Sequence, residues 1–570
     1  MQFQSEKISK PQINMPEKGL NRNLITWHND ISSWMYYALI LLAVSIPLSE
    51  FGMSISQFLL LGLWVFEGAD KRNSGSSDIK QQSLVWRVLV NLGCKFRMLF
   101  NNPAAMVVVS FYLLHLVGII YTSDLNYALK DLRIKLPLIS IPVILATSAP
   151  LSLKRFHKLM LFFVFAVFSG TMVSMYVLFT RHVADPRELS IFISHIRFSL
   201  TICFSVFILM YFLVKKIYTN KAAVYAMIAG VMWLLLFLLI LESITGILIT
   251  VILGIIFLFY YIFSLKSLAL KIIVSLLLMA SIIPAYQYLD KIVIEYSTPA
   301  PLNIADLDRY TEFGAPYLHD TSTYGIENGE YVGLYISMVE LRHEWNLRSN
   351  LDFDGKDLKD QELKHTLIRY LHSKGQRKNA LAVRSLSNKE IRHIENGIAN
   401  ARYVEHFNLT SRFEQMAMGY HNYIRSGDPN ASSMMQRVEY WKASAYIIKH
   451  NLLTGVGTGD LDYAFNNAYT ELDSKLHESF RKRSHNQFLA VFIAFGIFGF
   501  LWFIFTLVYP GLKIGKFTDY FYIVFFIIII MSMLTEDTLE TQAGATFFAF
   551  FNALLLFGHK RNTDKAEDPG

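Results

Sequence analysis

Charge and cysteine are what this chain has least of. Of its 570 residues only 17% are Asp, Glu, Lys or Arg, against 53% hydrophobic and 14% aromatic. That balance excludes a string of soluble domains and points to a chain held largely in lipid. The only two cysteines, Cys94 and Cys203, are too few for a structural zinc site, and lying in different segments they argue against a disulfide scaffold. There is no internal repeat and no low-complexity tract, and Ser74-Gly-Ser-Ser reads as a short linker. Residues 1–30 contain no apolar run ahead of a small-residue cleavage site, so the first spanning helix is expected to target the chain without a removable signal peptide. The basic surplus, 53 Lys and Arg to 45 Asp and Glu for a formal +8, takes its meaning from where the cations fall.

Long apolar runs are plentiful. A spanning helix takes about 20 mostly apolar residues, and about twelve stretches qualify, near 33–49, 53–69, 104–122, 133–149, 156–180, 190–214, 222–242, 244–264, 268–286, 486–508, 519–535 and 540–557. Lys and Arg crowd into alternate connections: the N-terminus, 70–103, Lys154/Arg155/Lys158, Lys215/Lys216/Lys221, Lys266/Lys271, Lys513/Lys516 and Lys560-Arg561. Positively charged loops stay on the cytoplasmic side, so both termini are expected there. The expected organisation is an all-α polytopic membrane protein: a tail at 1–32, helices one to nine over 33–286, a large, mainly helical outward domain at 287–485, three helices over 486–557 and a second tail at 558–570. Helical spacing in Glu340-Leu-Arg-His-Glu and Arg437-Val-Glu-Tyr-Trp supports the helical reading of that domain.

Four places carry candidate chemistry. His195 and Arg197 sit inside an apolar stretch; a helix starting near 190 puts Arg197 about 10 Å below the interface, where a guanidinium calls for an anion, for Asp185 or Glu188, or for a path back to the surface. Arg133 and Lys135 lie at the outer mouth of the fourth span, on the side cations avoid, and offer either donors to an anionic headgroup or a solvated helix end paired with Asp124 or Asp131. Arg437 precedes Gly455-Val-Gly457-Thr-Gly459-Asp460, a turn whose amides could approach a phosphate or simply pack between helices. His485 follows Ser484 where the outward domain returns to the membrane. With Ser484 as N-cap the helix N-terminus favours an uncharged imidazole, able to take a proton from a hydroxyl, with Glu478, Asp460 or Asp462 as orienting carboxylate. Asp306-Leu-Asp308 and Asp460-Leu-Asp462 have DxD spacing but no histidine cluster nearby, so neither a metal nor a cofactor is expected.

The layout, the Arg437-x-x-x-Trp441 helix, the Gly-Val-Gly-x-Gly turn and Ser484-His485-Asn-Gln487 resemble the bacterial O-antigen ligase and polymerase superfamily. The resemblance implies a GT-C-like glycosyltransferase of the inner membrane, its large loop periplasmic. Such an enzyme takes a glycan from undecaprenyl pyrophosphate and passes it to an acceptor hydroxyl without nucleotide sugar, metal or nucleic acid. His485 matches the family's essential histidine and Arg197 its donor-binding arginine, with Arg437, Lys135 and Arg133 as further pyrophosphate contacts and His195, Ser484, Gln487, Gly455, Gly457 and Asp460 in support. Where many relatives have Ser-Arg-x-Gly entering the eighth span, this chain has Ser243-Ile-Thr245-Gly246. The leading expectation is a metal-independent, inverting ligase that uses lipid A-core as acceptor and works among membrane lipids. An O-antigen or exopolysaccharide polymerase, a protein O-oligosaccharyltransferase and, further off, a lipid-linked sugar transporter stay open.

Overall fold

A computed structural model describes residues 31–67, 83–181, 186–264, 267–297, 302–327, 329–404, 409–430 and 432–559. The expectations for residues 1–30, the Ser74 linker, Asp185 and the tail beyond His559 lie outside the described residues.

The chain is mostly helical, and each of the twelve apolar stretches contains a helix. Six described helices are long and apolar enough to cross a membrane: Ile31–Leu48, Leu153–Thr180, His195–Val214, Lys221–Ile240, Ile244–Phe263 and Gln487–Ile514. Others are shorter, among them Glu50–Phe66, Tyr520–Thr535 and Gln542–Phe557. At about 1.5 Å per residue, a 16-residue helix such as Gln542–Phe557 reaches roughly 24 Å of a ~30 Å hydrocarbon layer. Ala543 through Leu556 of this helix are all buried inside the bundle. It is the axis of the bundle. Phe551 lies 4.7 Å from Phe163, 4.9 Å from Phe204 and 5.8 Å from Phe525, ring centre to ring centre. Such aromatic packing, rather than expulsion of water, holds helices together in lipid.

The polar segment falls into two parts. Val332, Leu341, Trp345, Phe353, Leu367, Tyr370, Val383 and Ile394 form a core of their own among short helices such as Met338–Asn346, Leu363–Ser373 and Asn388–Glu395, the last closed by a Ser387/Glu390 capping box. In the second part, Tyr440, Ile447, Phe465 and Tyr469 share a cluster with Ile493 of the membrane helix Gln487–Ile514, which docks Ser433–His450 and Leu461–Glu471 onto the bundle.

Helix Gln487–Ile514 is broken at Gly496, whose φ is +64°. The glycine turn fills that break: Val456 N–H donates to Ile493 O and Gly457 N–H to Ala494 O, both at 2.9 Å, and Ile497 N–H donates to Leu452 O at 2.8 Å. A Cβ on Gly455, itself at φ +70°, would stand 2.5 Å from the Ala494 carbonyl. The alternating glycines answer to backbone on backbone.

Candidate functional site

The site forms where five segments meet at one end of the bundle, around the loop Thr535-Glu536-Asp537-Thr538-Leu539-Glu540 that links Tyr520–Thr535 to Gln542–Phe557. His485 does not begin a helix. Asn486 is the N-cap, accepting from Leu489 N–H at 3.1 Å, and the helix starts at Gln487. Both Ser and Asn suit a cap, but Asn486 is in extended backbone while His485 is left-handed at φ +46°, an uncommon state for a residue with a Cβ. Asp537 braces the turn by accepting from Ser484 Oγ at 3.1 Å, His485 N–H at 3.2 Å and Asn486 N–H at 2.8 Å.

The orienting carboxylate is Glu536, which was not among the acids expected for that role. His485 Nδ1 lies 3.2 Å from Oε2 of Glu536, while Arg437 Nη2 lies 2.5 Å from its Oε1. Burial pushes Glu536 up, but the hydrogen bond with His485 and the charge of Arg437 outweigh it and hold the carboxyl below the ordinary range. An ionised carboxylate only accepts, so Nδ1 carries a proton, and in the neutral imidazole the lone pair is on Nε2. Tyr440 flanks the imidazole, ring centres 5.5 Å apart, and Trp441 Nε1 donates to Ser484 O at 3.1 Å. The expected partners are engaged elsewhere. Asp460 accepts from the amides of Ser123 and Asp124, which hold its pKa down against burial. Asp462 pairs with Arg483 at 2.8 Å, and Glu478 lies in a short 3-10 turn.

Arg197 arrives from the other side. Its helix starts at His195, not near 190, so the guanidinium belongs to the first turn and the premise for a depth of about 10 Å falls away. Nη1 donates to Ser194 Oγ at 2.9 Å and Nη2 to Asp537 O at 3.3 Å, while Nε is buried with no acceptor among the described residues. Arg197 and His485 therefore bond the same residue, Asp537. His195, two residues before Arg197 and so on nearly the opposite helix face, is half-buried. Gly246, in the Ser243-Ile-Thr-Gly stretch, packs on this helix: its Cβ would stand 2.7 Å from that of Ser199.

Lys135 is buried between Asp131 at 2.8 Å and Glu540 at 2.9 Å. Gln487 Nε2 donates to the other Glu540 oxygen at 3.1 Å, and Gln487 Oε1 accepts from Leu539 N–H at 2.7 Å. Burial drives Asp131 up, to about 7, whereas the charges of Lys135 and Arg483 hold Glu540 down. The geometry makes Lys135 a buried counter-ion here. Arg133, on the opposite helix face, is exposed and pairs with no described residue. The glycine turn also departs from expectation: the amides of Gly455 and Gly457 donate to the carbonyls of Asn451 and Ala494, and those of Thr458 and Gly459 to Gly118 O and Thr122 Oγ1, so none points at a ligand.

Glu536, Asp537 and Glu540 are what sequence reading missed. Their signal was present: three acids within five residues, between two apolar runs of a net-basic chain.

No curated protein matches the chain. Residues 385–504, which include Arg437, the glycine turn and His485, match the family model described as O-Antigen ligase. That match supports the O-antigen ligase superfamily for the segment it covers.

Proposed function

We propose that the protein is an O-antigen ligase-like glycosyltransferase that moves a polysaccharide from undecaprenyl pyrophosphate to an acceptor hydroxyl on lipid A-core. The observation that carries this reading is the convergence of His485, Arg437 and Arg197 on the adjacent acids Glu536 and Asp537. His485 Nε2 takes the proton of the acceptor hydroxyl as its oxygen attacks the anomeric carbon. The bond from that carbon to the phosphate oxygen breaks, and the pyrophosphate leaves with the electron pair. Arg197, with a buried, unanswered N–H, and Arg437 neutralise the charge that develops there. These guanidinium groups supply the charge neutralisation that a divalent ion would otherwise bring. One displacement, with no carboxylate placed as nucleophile, inverts the anomeric configuration. The reading assigns the site and the polar segment to the periplasm, twelve spans to the inner membrane with short helices completed by their neighbours, and both termini to the cytoplasm.

A strain expressing His485→Ala tests it. Surface polysaccharide should disappear from lipid A while long carrier-linked chains accumulate. Short carrier-linked units would instead identify a polymerase, and unchanged surface polysaccharide would remove His485 from the chemistry. Transfer between two lipids by purified protein in excess chelator tests the metal-free step and excludes simple transport.

A further inference from the structure

Helix Leu84–Phe100 meets Pro103–Val117 at 94°, so it lies across the end of the bundle and does not extend a span. Asn102 caps the second helix and Pro103 opens it, a pairing that separates the two cleanly. This is the end away from His485, because the far end of Pro103–Val117 leads into Gly118, whose carbonyl accepts Thr458 N–H at 3.2 Å. The helix is turned inside out by the standards of a soluble protein. Val85, Leu89, Phe96 and Phe100 are exposed on one side, with Trp86 beside them, and the cations Arg87 and Lys95 are buried on the other. Residues 87, 91 and 95, four apart, share that inner face. A helix at the boundary between headgroups and acyl chains presents apolar side chains outward in this way.

The two buried cations differ in what answers them. Lys95 has Glu67 at 2.5 Å and donates to Trp64 O at 2.7 Å, with its ammonium 4.7 Å from the centre of the Trp64 ring. Arg87, only 7% exposed, has neither Nε nor Nη1 hydrogen-bonded, and Nδ2 of Asn91, one turn on, is equally unanswered. A guanidinium cannot shed its proton, and a buried charge is tolerated only when an opposite charge meets it. The described residues place no acid there. We propose that Arg87 and Asn91 bind the phosphate of an anionic phospholipid headgroup on the membrane face opposite His485. The planar fork of Arg87 matches phosphate oxygens, and the exposed apolar side chains of the same helix give the acyl chains a surface, which a free phosphate ion would leave unused. A zwitterionic headgroup brings its own ammonium beside the guanidinium and is disfavoured.

The full-length protein, delipidated in neutral detergent, is titrated with dioleoylphosphatidylglycerol, dioleoylphosphatidylcholine or inorganic phosphate. Thermal unfolding is followed, and bound lipid is counted by native mass spectrometry. Phosphatidylglycerol should raise Tm and stay bound while the other two do neither. Arg87→Gln should lose roughly tenfold or more in phosphatidylglycerol affinity, and Arg97→Gln, at an exposed position, should keep it. Equal shifts from the two phospholipids, an equal shift from inorganic phosphate, or wild-type affinity in Arg87→Gln would each overturn the proposal. If Arg87→Gln fails to fold, the wild-type ranking of the three probes and Asn91→Ala decide.

Discussion

Glu536→Gln changes one atom and should silence the enzyme. In the native site Oε1 of Glu536 faces Arg437 at 2.5 Å and Oε2 faces His485 Nδ1 at 3.2 Å. An amide has one oxygen to offer, and the shorter, permanently charged Arg437 contact claims it. The amide N–H then points at Nδ1, which must accept, and the imidazole proton moves to Nε2, where the base should be. Loss of a general base costs about 10²–10⁴ in rate, or roughly 3–5 kcal/mol at 1.36 kcal/mol per tenfold. The assay is glycan transfer between carrier and acceptor lipids in proteoliposomes. kcat should fall into that range, and combining Glu536→Gln with His485→Ala should give no further loss, since the two act as a unit. Activity within about threefold of wild type, or losses that multiply in the double variant, would refute the assignment of Glu536 as the positioning carboxylate.

Lys135→Met leaves Asp131 and Glu540 buried without their shared cation and should cost about 3–5 kcal/mol, read as a lowered Tm in detergent; Arg133→Met, on the exposed face, should change Tm little. Gly455→Ala places a Cβ against the Ala494 backbone at a φ of +70°, so unfolding should begin at lower temperature while conservative changes at Leu453, an exposed neighbour, are tolerated. Phe551→Ala opens the aromatic centre of the bundle and should cost about 3–5 kcal/mol by denaturation in mixed micelles. Glu536 also sets a pH dependence. Its folded pKa is depressed, so its contribution is complete above the unfolded value of about 4.3 and is lost as pH falls through the lower folded value. Tm should therefore drop below about pH 4, and Glu536→Gln should flatten that part of the curve.

The apolar stretches were legible as helices because lipid offers the backbone no hydrogen-bond partners, so each segment must satisfy its own. Arg197 was legible as a cation inside an apolar stretch, and Arg437 and His485 through the motifs around them in the polar segment; the structure brings the three together. Their immediate surroundings were not legible. Ser484 and Asn486 are equally good caps by type, and only the left-handed backbone at His485 separates them. The glycine turn has the composition of a phosphate cradle, and only the break at Gly496 shows that its amides already have acceptors.

Composition and hydropathy alone thus determined a helical membrane chain with a polar segment before its last helices, since those properties depend on local energetics that each stretch settles for itself. Which acid serves His485, which cation is left unanswered and which is buried as a counter-ion were decided by tertiary structure. The residues concerned are far apart along the chain, as with Arg437 and Glu536, separated by 99 in sequence. Charges buried in a low-dielectric interior are governed by whatever the packing places within about 4 Å of them.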